Sequence, residues 1–325
     1  MLTYIIRRIL YAIPILILVN VITFSLFFIV NSPDDMARMH LGQKHVTQQT
    51  IDNWKKYQGY DKPLFYNASD KGVRKLTNTL FMNKSLALLR FNFGSSDQGR
   101  DISQDIFERM WPSLALAIPT LLIGLLVNIT GSLLLALFLG TGIDIAGVTL
   151  CVILMSLSGL FYIIFGQFIF AKMLNLVPIS GYQSGLDSIK FLILPVAIGV
   201  ISGIGGGVRW YRTIILEEVH KEYVRTARSK GLTWWQVMRK HILPNALIPI
   251  LTGVVVIIPT LFMGSLIMES FFGIPGLGSY TIEAIQAQDF DIVRVMVYLG
   301  TLLYVLGLIL TDISYTIVDP RVRLE

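Results

Sequence analysis

Six stretches of this chain run long enough on apolar residues to cross a bilayer, and that feature governs what the sequence can fold into. They are Ile9 to Val30, Ser113 to Leu139, Ala146 to Ala171, Phe191 to about Val208, Ala246 to Ile267, and about Val293 to Val318. A spanning helix needs roughly 20 mostly apolar residues, because in lipid only a helix or a closed barrel satisfies its own backbone polar groups. The 325 residues are 54% hydrophobic and 15% charged, against about 25% charged in soluble domains, which excludes an ordinary soluble enzyme and a disordered chain. The expected fold is all-α, a polytopic membrane protein with six transmembrane helices. Arg7 and Arg8 precede the first stretch, but its apolar run exceeds the roughly 7 to 15 residues of a signal peptide. It therefore reads as an uncleaved first span.

Lysine and arginine in short loops set orientation. With the N-terminus inside, the cytoplasmic segments hold Arg7 and Arg8, then a run from Arg209 to Lys240, then Arg321 and Arg323. The short loops at about 174 to 189 and 269 to 290 hold none. Both termini are thus expected in the cytoplasm. The segment 31–112 holds twelve basic residues, but long segments translocate largely regardless of charge. It is expected to be an extracytoplasmic insert between a first span at 1–30 and a five-helix core at 113–325. On this reading the net charge of +6 is a topology signal, and no nucleic-acid partner is expected. The bilayer itself is the partner that composition implies.

Several chemistries lack their residues. The chain has no Gly-Lys dipeptide for a P-loop, and the glycines 203, 205, 206 and 207 lie inside an apolar window, where they suit close helix packing. The lone Cys151 excludes a disulfide framework and a multi-cysteine metal site. His40, His45, His220 and His241 fall outside the apolar windows, without a carboxylate or cysteine cluster at metal spacing. No catalytic residue and no metal ligand are expected. Asp312, near the end of the last window, is either locally paired with Arg321 and Arg323 or a transport group.

The cytoplasmic segment from about 216 to 245 has its own organisation, two short helices joined at Gly231. Val219, Tyr223, Thr226 and Ala227 share a face at helical spacing, surrounded by Lys221, Arg225, Arg228 and Lys230. Gly231 suits a helix C-cap, Thr233 an N-cap for a helix from Trp234 to Lys240, and Pro244 its end. An amphipathic helix with small central residues fits a groove in another protein, or else lies on anionic lipid.

The run Tyr223-Val-Arg-Thr-Ala-Arg-Ser-Lys-Gly231, followed by His241-Ile-Leu-Pro-Asn-Ala246, resembles the signature loop of ATP-binding-cassette importer permeases. Arg225, Thr226 and Ala227 occupy its Glu-Ala-Ala slots, Gly231 its glycine, and Leu243 and Pro244 its Leu-Pro pair. Arginine and threonine in the first two slots are similar to the oligopeptide, dipeptide and nickel branch. The resemblance extends to Ile6-Arg-Arg-Ile-Leu-Tyr-Ala-Ile-Pro14, Gly59-Tyr-Asp-Lys-Pro-Leu64, Phe93-Gly-Ser-Ser96, Pro178-Ile-Ser-Gly-Tyr182, Gly273-Ile-Pro-Gly-Leu-Gly278 and Asp319-Pro-Arg-Val-Arg323. The stretch from about 65 to 90 departs from that pattern.

The resemblance implies a non-enzymatic permease subunit in a bacterial cytoplasmic membrane, forming half of a peptide pathway. It implies a second homologous permease, one or two ATPase subunits that carry ATP and Mg, and an extracytoplasmic substrate-binding protein. No cofactor is expected on this chain. Tyr223, Arg225, Thr226, Ala227, Gly231, Leu243 and Pro244 are the expected ATPase contact. Lys62, Gly276, Gly278 and Ser279, in the outward region and the turn-rich loop 271–280, are the expected binding-protein contact. Nickel or oligosaccharides are alternative cargoes. An ion-gradient carrier is the alternative class, though the internal repeats and the broken helices with midplane charges typical of such carriers are not evident in the sequence.

Overall fold

The computed structural model describes residues 2–42 and 47–318. His45, Arg321, Arg323 and the tail motif 319–323 lie outside the described residues, and with them the expected pairing of Asp312. Among the described residues the chain is all-helical, with one isolated antiparallel bridge between Ser95 and Asp101. In order the helices are α1 (Leu2–Val30), α2 (Pro33–Leu41), α3 (Gln48–Gln58), α4 (Arg74–Thr77), α5 (Leu80–Leu89), α6 (Ile102–Leu137), α7 (Gly142–Ser156) and α8 (Gly159–Gly166). They continue with α9 (Ser188–Val219), α10 (Glu222–Ser229), α11 (Trp234–Val237), α12 (Leu243–Thr260), α13 (Leu266–Phe272), α14 (Leu277–Ala287) and α15 (Phe290–Val318).

Five of these runs are long and apolar enough to cross a membrane: Ile6–Val30, Ile102–Leu137, Gly185–Val219, Trp234–Met263 and Phe290–Ser314. The third expected span is not one straight helix. Gly142–Ser156 and Gly159–Met173 meet at 88°, so the spans number six only if this bent pair counts as one. Leu157 and Ser158 are extended, with ψ of 136° and 144°, which interrupts the helical hydrogen bonds while the apolar composition continues through the break. Pro244 likewise does not end a helix. Met238–Ile242 forms a π-turn in which the Leu243 N–H bonds Met238, and Pro244 falls in the first turn of α12, where a missing N–H costs nothing.

Two compact units divide the chain, Met1–Glu108 with Thr281–Leu306, and Arg109–Tyr280 with Gly307–Glu325. In the first, an aromatic core of Phe24, Phe28, Met36, Tyr60 and Leu80 joins α1 to the segment after it. The segment also carries polar ties. Asn20 donates to the Ser85 carbonyl, and the Asp97 N–H donates to Asp289 at 2.8 Å. Lys84 pairs with Asp291 at 2.7 Å, and the buried Arg294 bonds both Asp291 and the Lys84 carbonyl.

In the second unit, one apolar cluster joins Leu116, Ile163, Leu192, Ile198, Phe272 and Ile274. Another joins Ala136 and Ile215 to residues 224–246. Helix α9 packs tightly through glycine against both α7 and α6: a Cβ on Gly205 would stand 2.5 Å from the Cys151 carbonyl of α7, and one on Gly207 would overlap the Asn128 amide of α6. The expectation that the glycine run is a packing surface holds at these two positions, whereas Gly203 and Gly206 face open space.

Candidate functional site

Between α9 and α12 the chain leaves the long helices for α10, whose eight residues make about two turns. Val224 and Ala227 are buried, in one cluster with Ala136, Ile215, Val237 and Ala246. Tyr223 is half-buried beside them, while Arg225 and Thr226 are exposed. The face expected to be shared therefore divides: Tyr223 and Ala227 turn toward the chain's own helices and Thr226 stays outside. Val224 completes the inward stripe, an apolar position three residues before Ala227 that the sequence reading left out. Arg225 pairs with Glu222 at 2.9 Å on the exposed side.

Glu218, in the last turn of α9, is 8% exposed and receives both the Lys221 ammonium and the Tyr223 hydroxyl, each at 2.5 Å. Burial, and then the bond to Glu218, push the Tyr223 phenol well above its ordinary pKa. Gly231 has φ +81° with no atom within 4 Å of where a Cβ would stand, so the requirement there is conformational and not spatial. Thr233 caps α11 in a reciprocal capping box with Gln236. Leu243 is half-buried, and Pro244 is exposed.

The loop from α12 to α14 encloses a carboxylate that the sequence reading missed. Glu269 has no exposed surface. One carboxylate oxygen accepts the Ser265 N–H at 3.0 Å, and the other accepts the N–H groups of Gly278 and Ser279 at 2.7 and 3.1 Å. Ser113, also fully buried, hydrogen-bonds Glu269 and accepts the Leu277 N–H at 2.8 Å. Burial raises the Glu269 pKa, and these hydrogen bonds oppose the rise without cancelling it. Glycine makes room: a Cβ on Gly276 would overlap both Glu269 and Ser113. Gly276, Gly278 and Ser279 are thus buried against a carboxylate, and the exposed residues of this loop are Phe271, Gly273 and Pro275.

Ser113 and Gly264 also border an open cleft of about 470 Å³ between α6, α9 and the end of α12. Its wall carries apolar groups and the hydroxyls of Thr120, Ser202, Thr260 and Ser265. Gln167, a polar residue inside the third apolar window, donates to the carbonyls of Ile179 and Phe271 at 3.1 Å each. A second buried pair was also missed. Arg212, counted only as a topology marker, meets Asp144 at 2.8 Å, and Asp144 caps the turn at Gly140. Lys62, in the first unit, is half-buried.

Comparison with known proteins agrees with these features. The family model described as "Binding-protein-dependent transport system inner membrane component" matches residues 129–324, and the companion described as "Binding-prot-dependent transport system membrane comp, N-term" matches residues 1–87. A Brucella abortus protein provisionally named a peptide transport system permease protein is 32% identical, covering 99% of this chain and 99% of the relative. The dipeptide transport system permease protein of Bacillus subtilis is 26% identical over 99% of this chain and 98% of its own length. The oligopeptide transport system permease protein of the same organism is 27% identical over 99% and 100%. Both matched segments include spanning helices, and the larger contains the segment 216–249 whole. The chain belongs to the binding-protein-dependent transport system inner membrane component family and is a multi-pass inner membrane protein.

Proposed function

We propose that this chain is the permease subunit of an ATP-driven importer of di- or oligopeptides, forming half of the translocation pathway. The observation that carries this reading is the segment from Glu218 to Pro244, an amphipathic helix, a left-handed glycine and a capped second helix, within a chain whose full-length relatives are named for peptide transport. Arg225 and Thr226 on the exposed side of α10 contact an ATPase subunit. Tyr223, Ala227, Gly231, Leu243 and Pro244 hold that surface in position. The bent pair α7–α8 serves as one of six spans, both termini are cytoplasmic, and residues 31–112 form the extracytoplasmic region. The distribution of lysine and arginine supports this orientation. Lys62 and the exposed residues of the loop 271–280 contact a substrate-binding protein, with Gly276, Gly278 and Ser279 as that loop's foundation. A second homologous permease completes the pathway, and ATP and Mg are bound by one or two partner ATPase subunits.

Reconstitution with these partners tests the reading. Thr226→Trp should lower ATPase co-purification about ten-fold, equivalent to roughly 1.4 kcal/mol at an interface, while the permease accumulates in the membrane as before. Vesicles supplied with ATP should take up a di- or oligopeptide from the loaded binding protein with the proton gradient collapsed. Uptake that needs the gradient and ignores ATP would establish an ion-driven carrier instead. Nickel or an oligosaccharide in the purified binding protein, identified by mass spectrometry, would replace peptide as the cargo.

A further inference from the structure

The unit that contains α1 to α5 and the start of α15 holds a polar pocket that the coupling and docking residues leave unused. It encloses about 290 Å³ between the end of α3, α5, the turn at 92–95 and the first turns of α15. Lys84, Asp291 and Arg294 line it together. The Lys84 ammonium lies 2.7 Å from one Asp291 oxygen, whereas the Arg294 guanidinium stands 3.4 Å from the other and donates to the Lys84 carbonyl at 3.1 Å. One carboxylate thus serves two cations. The neighbouring acids are engaged with other groups and do not line the pocket: Asp97 accepts the Gln58 amide at 2.9 Å, and Asp289 accepts the backbone N–H groups of Asp97 and Ile292. The rings of Phe28 and Phe24, 5.5 and 6.0 Å from the guanidinium carbon, give Arg294 a cation–π contact but no countercharge.

A buried charge is costly unless it is paired. Arg294 is 3% exposed, and a structural tie between α5 and α15 needs only one of the two cations. The other leaves the pocket wall with an excess of positive charge, which a carboxylate from outside can neutralise through charge-assisted hydrogen bonds. The rim adds neutral donors. Asn92 spends its oxygen on the Gly94 N–H, which leaves its Nδ2 without a partner among the described residues, and the exposed Asn83 amide makes no side-chain hydrogen bond among them either. Cations at the base with amides at the rim match a carboxylate that follows a peptide carbonyl. The volume lies at the small end of ligand sites, about 300 to 1,000 Å³, and so admits one or two residues but no long chain.

We propose that this pocket binds the C-terminal carboxylate of a short peptide, with Lys84 and Arg294 on the carboxylate and Asn83 and Asn92 on the preceding carbonyl. The choice of a peptide as the source of the carboxylate rests on the importer reading above, whereas the preference for a carboxylate rests on the pocket alone. The site shares its cations with Asp291 and is therefore weak, above micromolar, and it holds a peptide by its end without selecting its sequence. Saturation-transfer NMR on the permease complex without its binding protein detects ligands in this range. The dipeptide Ala-Ala should bind, and its C-terminal amide, which lacks the charge, should bind about ten-fold more weakly. Lys84→Met should weaken Ala-Ala by a similar factor. Asn92→Leu, at an exposed position, should weaken it about three-fold, the size of one neutral hydrogen bond, and decides the matter if Lys84→Met fails to assemble. Lys71→Ala removes a surface charge outside the pocket and should leave binding as it is. Equal binding of Ala-Ala and its amide overturns the proposal, as does wild-type affinity in Asn92→Leu or a loss confined to Thr120→Val in the cleft. Weaker capture of the binding protein by Lys84→Met, with no binding of Ala-Ala to the wild type, would overturn it too and make the pocket a seat for an acidic side chain of that protein. Vesicle uptake reads the importer and this titration reads the pocket, so uptake that fails for peptides strikes the first reading alone.

Discussion

Glu269 has no exposed surface, and a carboxyl in that position favours its neutral form unless donors compensate. The compensation comes from backbone N–H groups that converge only because Gly276 and Gly278 lack side chains. In Gly276→Ala the new methyl would overlap the Glu269 carboxylate and the Ser113 hydroxyl, both held by hydrogen bonds and unable to swing aside. Overpacking of this kind costs about 1 to 3 kcal/mol. Thermal unfolding of the purified permease should register the loss, and an unchanged midpoint would mean that the cradle yields. The sequence marked Gly276 and Gly278 as turn residues and assigned them to an exposed contact. Glycine announces room or an unusual backbone angle and does not say what fills the room. Ser113, which accepts the Leu277 N–H, lies 164 positions away in the chain, beyond the reach of local pattern.

Helix α10 teaches the same lesson one level up. Its existence and its stop were legible, since the apolar spacing, Gly231 and Thr233 are all local signals. Its inward face was not, because spacing defines a stripe without stating whether the chain itself or another protein covers it. Val224 and Ala227 are covered by the chain's own helices. The break at Leu157 and Ser158 was hidden for a different reason: lipid-compatible composition continues through it, and only Ser158 hints at a cap. Gly231 gives a clean test at this scale, because its φ of +81° and empty surroundings separate conformation from space. Forcing a non-glycine residue into the left-handed region costs roughly 1 to 2 kcal/mol, more for a β-branched one. Gly231→Val should reorient α11 and lower ATPase co-purification, whereas Gly231→Asn, which tolerates that region, should retain it. Equal co-purification of both variants with wild type would free the glycine of this role.

Across the whole molecule, the six apolar windows were legible because the bilayer imposes a length, while the polar groups inside them could be found but not interpreted. The structure shows most of them already engaged. Gln167 is spent on two backbone carbonyls. Thr120, Ser202 and Thr260 donate to carbonyls within their own helices, at 2.7, 3.1 and 2.7 Å, and Ser265 caps α13. The cleft they border therefore offers a peptide mainly hydroxyl lone pairs and apolar wall. A site of high affinity needs convergent polar groups that are paired only when the ligand is present, and an ionisable group kept at membrane depth costs roughly 2.5 to 3.5 kcal/mol even on the mild insertion scale. In the proposed importer, selectivity then belongs to the binding protein, and this subunit supplies a permissive half-channel. The permease pair alone should bind peptide more weakly than about 1 μM, a threshold of about 8 kcal/mol. Titration calorimetry on the pair without its binding protein measures this directly. Micromolar or tighter binding, lost in Thr120→Val or Gln167→Leu, would move the specificity into the membrane.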